Sequence, residues 1–241
     1  MKRYGRRLLA GALILLLLFG RWMHWNREAF SAWKPVRMPE TTLVIDAGHG
    51  GEDGGAVSIS GAVESHINLA VALRLHALMN FCGVDSILLR DKDLSIHDST
   101  AKTLREKKVS DLQNRVAIIE STENAVLISI HQNTFTNPKY HGAQVFFGGN
   151  PDSVPLAQVV QNNICTALDP ENTRVPTRIP SSVYLMNHIT CPAVLVECGF
   201  LSNPAEDALL QTPEYQTKLA TVLASSFLTY KQPEGEALHE E

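Results

Sequence analysis

Several features that would settle a class at once are missing from this sequence. It has no heptad pattern, no internal repeat and no low-complexity tract, which excludes a coiled coil, a solenoid and a fibrous protein. It lacks the basic excess of a nucleic-acid binder. The 241 residues carry a formal net charge of -4, so no nucleic-acid partner is expected. Its four cysteines (Cys82, Cys165, Cys191 and Cys198) contain no Cys-x-x-Cys pair. A zinc knuckle or thioredoxin-like motif is therefore unsupported, and the cysteines read as small buried hydrophobes. The apolar run "LLAGALILLLLFG" at 8–20 spans only ~20 Å as a helix, short for a full membrane crossing.

What surrounds that run gives it a meaning. Lys2, Arg3, Arg6 and Arg7 precede it and Arg21 ends it, the layout of an export segment. A cleavage site is hard to place. Leu18 breaks the small-x-small pattern before Gly20, while Ala29 and Ser31 fit the pattern but lie far from the run. Residues 1–25 are therefore read as a signal anchor, with a cleaved signal peptide as the alternative. Trp22 and Trp25 would sit at the interface, and Arg21 would snorkel. Residues 26–41 read as a linker, 42–231 as one domain with enough chain for a good-sized core, and 232–241 as a polar acidic tail. The expected location is the extracytoplasmic face of the membrane, anchored there, or beyond the membrane after secretion.

Within the domain, apolar runs alternate with helical patterns. Strands are expected at 41–48, 84–90, 125–131, 143–148, 182–186 and 192–199. Helices are expected at 64–81, where Ile67, Val71, Leu75 and Leu78 share a face, at 154–168, and at 110–120 from a Ser110–Gln113 capping box. Two more are expected after Asn203-Pro204 and from Thr212-Pro213 to about Tyr230. The stretch 91–109 reads as charged loop. This alternation predicts an α/β three-layer sandwich around a mixed, largely parallel sheet.

The glycine-rich stretch "DAGHGGEDGG" at 46–55 follows the first strand. It has neither the G-x-G-x-x-G spacing opening a helix nor a G-K-[ST] ending, so it is not read as a phosphate loop. Glycines there let the backbone turn sharply beside His49, and Glu52 and Asp53 read as loop acids. Three strands end on residues that carry chemistry: "LVIDAGH" on His49, "VLISIH" on His131 and "AVLVE" on Glu197. Sites in open α/β sheets gather at the carboxyl ends of strands. Glu64 opens the apolar stripe of its helix, and a buried carboxylate needs a partner. The alternative is a partly solvated acid stabilised by the helix dipole. His66 faces roughly 200° away. His49, Glu64 and His131 thus make a His2Glu set of the kind that holds catalytic zinc with a fourth position open. Glu197 remains as a carboxylate free to move a proton. Asp46 either orients His49 or ends its strand. Ser129 and Asn133 are candidates for the cleft lining, His141 and His188 for substrate contact. Arg115 reads as half of a structural ion pair. Arg174 and Arg178 lie on a loop that either covers substrate or is simply solvated.

Four stretches, "VIDAGHGGEDGGAV", "ESHINLAVALRL", "LISIHQN" and "PAVLVECGFLSNP", stand in an order that resembles the zinc-dependent N-acetylmuramoyl-L-alanine amidases of amidase type 3. The resemblance covers about 42–231. It implies that His49, Glu64 and His131 bind one Zn2+ per chain and that Glu197 is the catalytic acid and base. It implies a peptidoglycan substrate, cut between the lactyl group of N-acetylmuramic acid and L-alanine. "YHGAQVFF" and "PSSVYLM" are most similar to the sporulation-type amidases, which strip stem peptides in the spore cortex and so allow muramic-δ-lactam to form. An activator protein is a possible partner. Gln132 stands where the family often has a small residue. Vegetative wall remodelling, a zinc peptidase acting on stem peptides, and a non-catalytic wall-binding module are the alternatives.

Overall fold

The computed structural model of the chain describes residues 41–231, together with Arg21. The anchor, the linker and the acidic tail, and with them His24 and His239, lie outside the described residues apart from Arg21 and Thr41. Among the described residues no helix is long and apolar enough to cross a membrane.

The elements in chain order are β1 (Thr42–Ala47), α1 (Glu64–Phe81), β2 (Ser86–Leu88), α2 (Leu104–Ser121), β3 (Ala125–Asn133) and β4 (Gln144–Phe147). They continue with α3 (Ser153–Leu168), β5 (Thr177–Arg178), α4 (Tyr184–Asn187), β6 (Ala193–Phe200), α5 (Pro204–Leu210) and α6 (Pro213–Lys231). The six strands form one sheet in the order β2-β1-β3-β6-β4-β5. β2, β1, β3 and β6 run parallel, whereas β4 pairs antiparallel with β6 and carries β5 with it. This is the mixed, largely parallel sheet that the alternating pattern predicts.

Strand alternation sorts the core into two layers. Leu43, Ile45, Ile128, Ile130, Val194 and Val196 point to the face covered by α1, α3 and α6. Val44, Leu127 and Leu195 point to the other face, with Ile119 of α2 and Leu185 and Met186 of α4. The central strands are buried on both faces, which is why they read as unbroken β-branched runs rather than alternating ones.

Three local expectations need correction. The helix α2 begins at Leu104, not near Ser110, because Thr103 and Glu106 form the capping box. Ser110 instead bonds the 91–103 loop through Asp98. "SVYLM" is not a strand: its last three residues, with Asn187, form the short helix α4. The cysteines are all free, but only Cys198 is buried, and Cys82 is exposed.

Candidate metal centre and catalytic cleft

The parallel order places β1, β3 and β6 side by side, so their carboxyl ends form one rim. His49 follows β1, and His131 pairs in register with Glu197 of β6. Asp46, Ser129, His131 and Glu197 sit at positions facing the α2–α4 layer, where they line a cleft of about 290 Å³. Glu64 enters from the opposite layer, at the first residue of α1. Its Oε1 lies 3.1 Å from His131 Nδ1 and 3.5 Å from His49 Nε2. One donor atom from each of His49, Glu64 and His131 lies within 4.8 Å of the others. The structure therefore brings the three expected ligands together, with Glu197 in the same cleft as both histidines.

Two glycines make this approach possible. A Cβ on Gly48 would fall inside the imidazole of His131, and one on Gly55, at φ +73°, would meet the Glu64 carboxylate at 2.5 Å. The edge of His131 that bears Nε2 rests against Gly48, which leaves Nδ1 facing Glu64. His49 itself adopts φ 61°, a left-handed conformation uncommon for a residue with a side chain. Such strain persists only when the surroundings hold it, and here two buried arginines do so. Arg90 donates to the carbonyls of Ala47 (2.8 Å), Gly48 (3.0 Å) and Ser65 (2.8 Å). Arg115 donates to the carbonyls of Ala47 (3.1 Å) and His49 (2.8 Å).

Arg115 is the structural ion-pair residue expected, joined to Asp46 and, at 2.7 Å, to Asp111. This answers the alternative left open for Asp46. Its carboxylate is taken by Arg115 and by the Ser129 hydroxyl at 2.6 Å. The carboxylate on the far side of the His49 ring from Glu64 is Asp53, whose Oδ2 lies 3.1 Å from His49 Nδ1 and 3.1 Å from Lys108 Nζ. Asp53 is thus no bystander of the loop, although Glu52 is a loop acid paired with Lys107. Asn133 ends β3, where its carbonyl accepts from Leu201 N. His141 lines a separate surface cavity, and its Nδ1 lies 3.8 Å from Asp169. His188 stacks on Tyr184, a wall of the cleft, at 3.8 Å between ring centres. Arg174 lies over the Phe200 ring and bonds the His141 carbonyl. Arg178 lies on β5 and is exposed.

The charges are tuned by opposing forces. Burial acts to raise the pKa of Glu64, but the hydrogen bond and charge of His131 and the charge of His49 prevail and lower it to about 2. Backbone N–H groups of Ala56 (2.8 Å) and Gln132 (3.1 Å) also donate to it. Glu197 differs: burial pushes its pKa up, the charge of Glu64 adds to that, and the histidines only partly offset it. Its Oε2 is buried and has no hydrogen-bond partner among the described residues. Two imidazoles and a carboxylate converging on one point match the donor chemistry of a borderline divalent cation.

The cleft has walls that the sequence did not single out. Lys108 and Leu112 of α2 and Ser182–Leu185 line it. Comparison with known proteins agrees with this geometry. Residues 43–227 match the amidase type 3 family, described as N-acetylmuramoyl-L-alanine amidase. The chain is 35% identical over 231 residues to the germination-specific N-acetylmuramoyl-L-alanine amidase of Bacillus subtilis, covering 95% of this chain and 94% of that protein. Among solved structures it is similar to the CwlD amidase of Clostridioides difficile, determined in complex with the GerS lipoprotein. The TM-score is 0.76 at 37% identity, covering 79% of this chain and 98% of that one. It is also similar to the amidase AmiC2 of Nostoc punctiforme, with a TM-score of 0.67 at 29% identity, covering 79% and 96%. With the family match running from β1 into α6, the chain belongs to the amidase type 3 family of N-acetylmuramoyl-L-alanine amidases.

Proposed function

We propose that this amidase works with one zinc ion held by His49, Glu64 and His131, and that Glu197 is its catalytic acid and base. The observation that carries this reading is the Glu197 carboxyl. Glu197 lines the cleft together with His49 and His131, and its Oε2 is buried with no hydrogen-bond partner among the described residues. An unpaired buried carboxyl oxygen is costly, and a reacting water and amide would supply the missing partners. When bound, zinc supplies Lewis acidity that lowers the pKa of water and polarises the amide carbonyl. The protein supplies the proton path. Glu197 accepts a proton from the attacking water and delivers it to the nitrogen of L-alanine as the bond to the lactyl carbonyl breaks, releasing a free amine. Burial raises the Glu197 pKa, which favours the protonated form that the second step needs. The 42–231 domain carries all of this machinery.

Purified protein should carry about one zinc per chain, as three protein ligands and an open position imply. Full activity in metal-free protein would overturn the mechanism. Glu197→Gln should retain zinc and lose turnover by about 10²–10⁴-fold; normal turnover would remove Glu197 from its role. Mass spectrometry of digested peptidoglycan should show stem peptides with free L-alanine amino termini. Shortened peptides still attached to muramic acid would identify a peptidase instead.

The biological setting we propose is the spore cortex, where removal of stem peptides frees muramic acid for the δ-lactam. Similarity to a germination-specific amidase over 95% of the chain supports this. The lipoprotein bound to the C. difficile relative supports a lipoprotein activator here. The basic flank and apolar run at 1–25 support export and tethering on the outer face of the membrane. Spores of a deletion strain should lack muramic-δ-lactam. Normal cortex with impaired separation of vegetative cells would assign the enzyme to wall remodelling.

A further inference from the structure

The Glu64 carboxylate accepts from the side-chain amide of Asn68, which accepts in turn from the side-chain amide of Gln132, and the mechanism above uses neither amide. Asn68 lies one helical turn after Glu64 on α1 and is completely buried. Its Nδ2 donates to Glu64 Oε1 and to the Gly48 carbonyl, each at 3.2 Å. Its Oδ1 accepts from Gln132 Nε2 at 3.0 Å. Gln132 is 3% exposed and reaches Asn68 from β3, on the face of the sheet opposite to His131.

These contacts admit one orientation of the Asn68 amide. Glu64 Oε1 and the Gly48 carbonyl only accept, so the Asn68 NH2 group must face them. Its oxygen then faces Gln132, which must present its own NH2 group. The two acceptors thus orient Asn68, Asn68 orients Gln132, and the bond from Gln132 holds the Asn68 amide in place. The choice of amides has a further consequence. A lysine or arginine behind Glu64 would hold the carboxylate equally well but would repel a divalent cation in front of it. Neutral amides fix the oxygen and leave its charge for the ion.

We infer that Asn68 and Gln132 form a neutral amide relay that aims Glu64 Oε1 at the metal position and ties it to Gly48, next to His49. They are positioning residues for metal binding. The inference rests on the reading that His49, Glu64 and His131 bind zinc.

The test uses the full chain with Asn68→Leu, Gln132→Met and the double variant. Zinc affinity is measured by competition with a chromophoric chelator, the visible spectrum of cobalt-loaded protein is recorded, and metal-free unfolding is followed by circular dichroism. Asn68→Leu should weaken zinc binding about 10- to 100-fold and alter the cobalt spectrum. Gln132→Met should weaken it by about tenfold or less, as expected for one hydrogen bond. Because Gln132 acts through Asn68, the double variant should bind no more weakly than Asn68→Leu alone. Additive losses would overturn the relay. So would unchanged zinc affinity alongside a lowered metal-free unfolding midpoint, which marks a packing role. If Asn68→Leu does not fold, the near-isosteric Gln132→Met decides, and unchanged affinity overturns the relay. A native chain that binds no zinc would bring down the metal reading and the relay together. Native binding with unaffected variants would bring down the relay alone.

Discussion

Glu64 and His49 face each other across 3.5 Å, yet the protein holds them by different means. Glu64 stands on the first turn of a helix, and its oxygens are fixed by backbone N–H groups and by neutral Asn68, which Gln132 holds in turn. His49 stands on a glycine-rich loop in left-handed backbone. That loop is held by charges: buried Arg90 and Arg115 on its carbonyls, and partly exposed Asp53 on the imidazole, with Lys108 paired to Asp53. A helix supplies its own backbone hydrogen bonds, so a ligand on it needs little more than aiming. A loop that turns away from the sheet leaves carbonyls unpaired, and cationic donors from α2 and the 89–103 stretch meet that need. The helix side should therefore tolerate changes of salt that loosen the loop side.

The largest effect expected from this contrast is at Arg115. Arg115→Met would leave Asp46 buried without its cation and release the carbonyls of Ala47 and His49. Breaking a buried pair from one side typically costs about 3–5 kcal/mol. Asn68→Leu, which removes a side chain without charge and its bonds to Glu64, Gly48 and Gln132, should cost about 1–3 kcal/mol. Urea unfolding of both variants, metal-free, measures the difference. Equal losses would erase the distinction between the two sides.

Acid should test the buried ion pair of the loop side next. Burial acts to raise the Asp46 pKa, but Arg115, His131 and Ser129 prevail and hold it below the ordinary 3.8. A carboxylate with a depressed folded pKa stabilises the fold fully above its unfolded value and loses that contribution as pH falls toward the folded one. The loop side should therefore weaken as pH drops below about 4, within the range set by the unfolded pKa of aspartate. Stability measured from pH 6 to 2 should show this decline in the native chain. Asp46→Asn should start less stable and show a flatter acid limb. An identical acid limb in the variant would remove Asp46 from the account.

Sequence patterns reached most of this architecture because the central strands are buried on both faces and β-branched, and because α1 has a clear apolar stripe. They failed where local chemistry and pattern disagree. The first turns of α2, "LREKKV", carry little apolar periodicity, and the Thr103–Glu106 capping box was the signal that marked their start. In "SVYLM" strand propensity is high, yet the segment packs as a helical turn against the cleft. At the site, the strand-end residues were legible because β1, β3 and β6 are neighbours. Asp53 was not, because its approach to His49 depends on the backbone folding back between Gly50 and Asp53, which no spacing rule encodes. Gln132 was visible only as an unusual residue, since the partner that explains it, Asn68, is 64 positions away.

A smaller effect should separate the two sides at the imidazole. Asp53 lies 3.1 Å from the His49 ring nitrogen that faces away from Glu64, where a carboxylate fixes the tautomer and orientation of a ligating histidine. Asp53→Asn keeps an acceptor of the same shape and removes the charge. Zinc affinity should fall by about tenfold, at the low end for such partners, with little change in metal-free stability because Asp53 is partly exposed. Chelator competition and thermal unfolding of the same samples test this. Unchanged affinity would show that the arginine-held backbone alone positions His49.

The smallest effect, and the most direct test of the contrast, concerns Lys108. Its ammonium reaches Asp53 at 3.1 Å with more than half of its side chain exposed. Exposed pairs of this kind are worth about 0–1 kcal/mol and are screened within about 8 Å at physiological salt. Lys108→Ala should therefore change zinc affinity by about fivefold or less. The native chain should approach the variant as sodium chloride rises toward about 1 M, where the screening length falls to about 3 Å. The Gln132→Met variant should keep its full difference from the native chain over the same range, because a buried amide relay carries no net charge to screen. If Gln132→Met and Lys108→Ala respond alike to salt, the division into a neutral helix side and an ionic loop side fails. If only Lys108→Ala responds, salt alone adjusts the grip on one ligand while the carboxylate opposite it stays fixed.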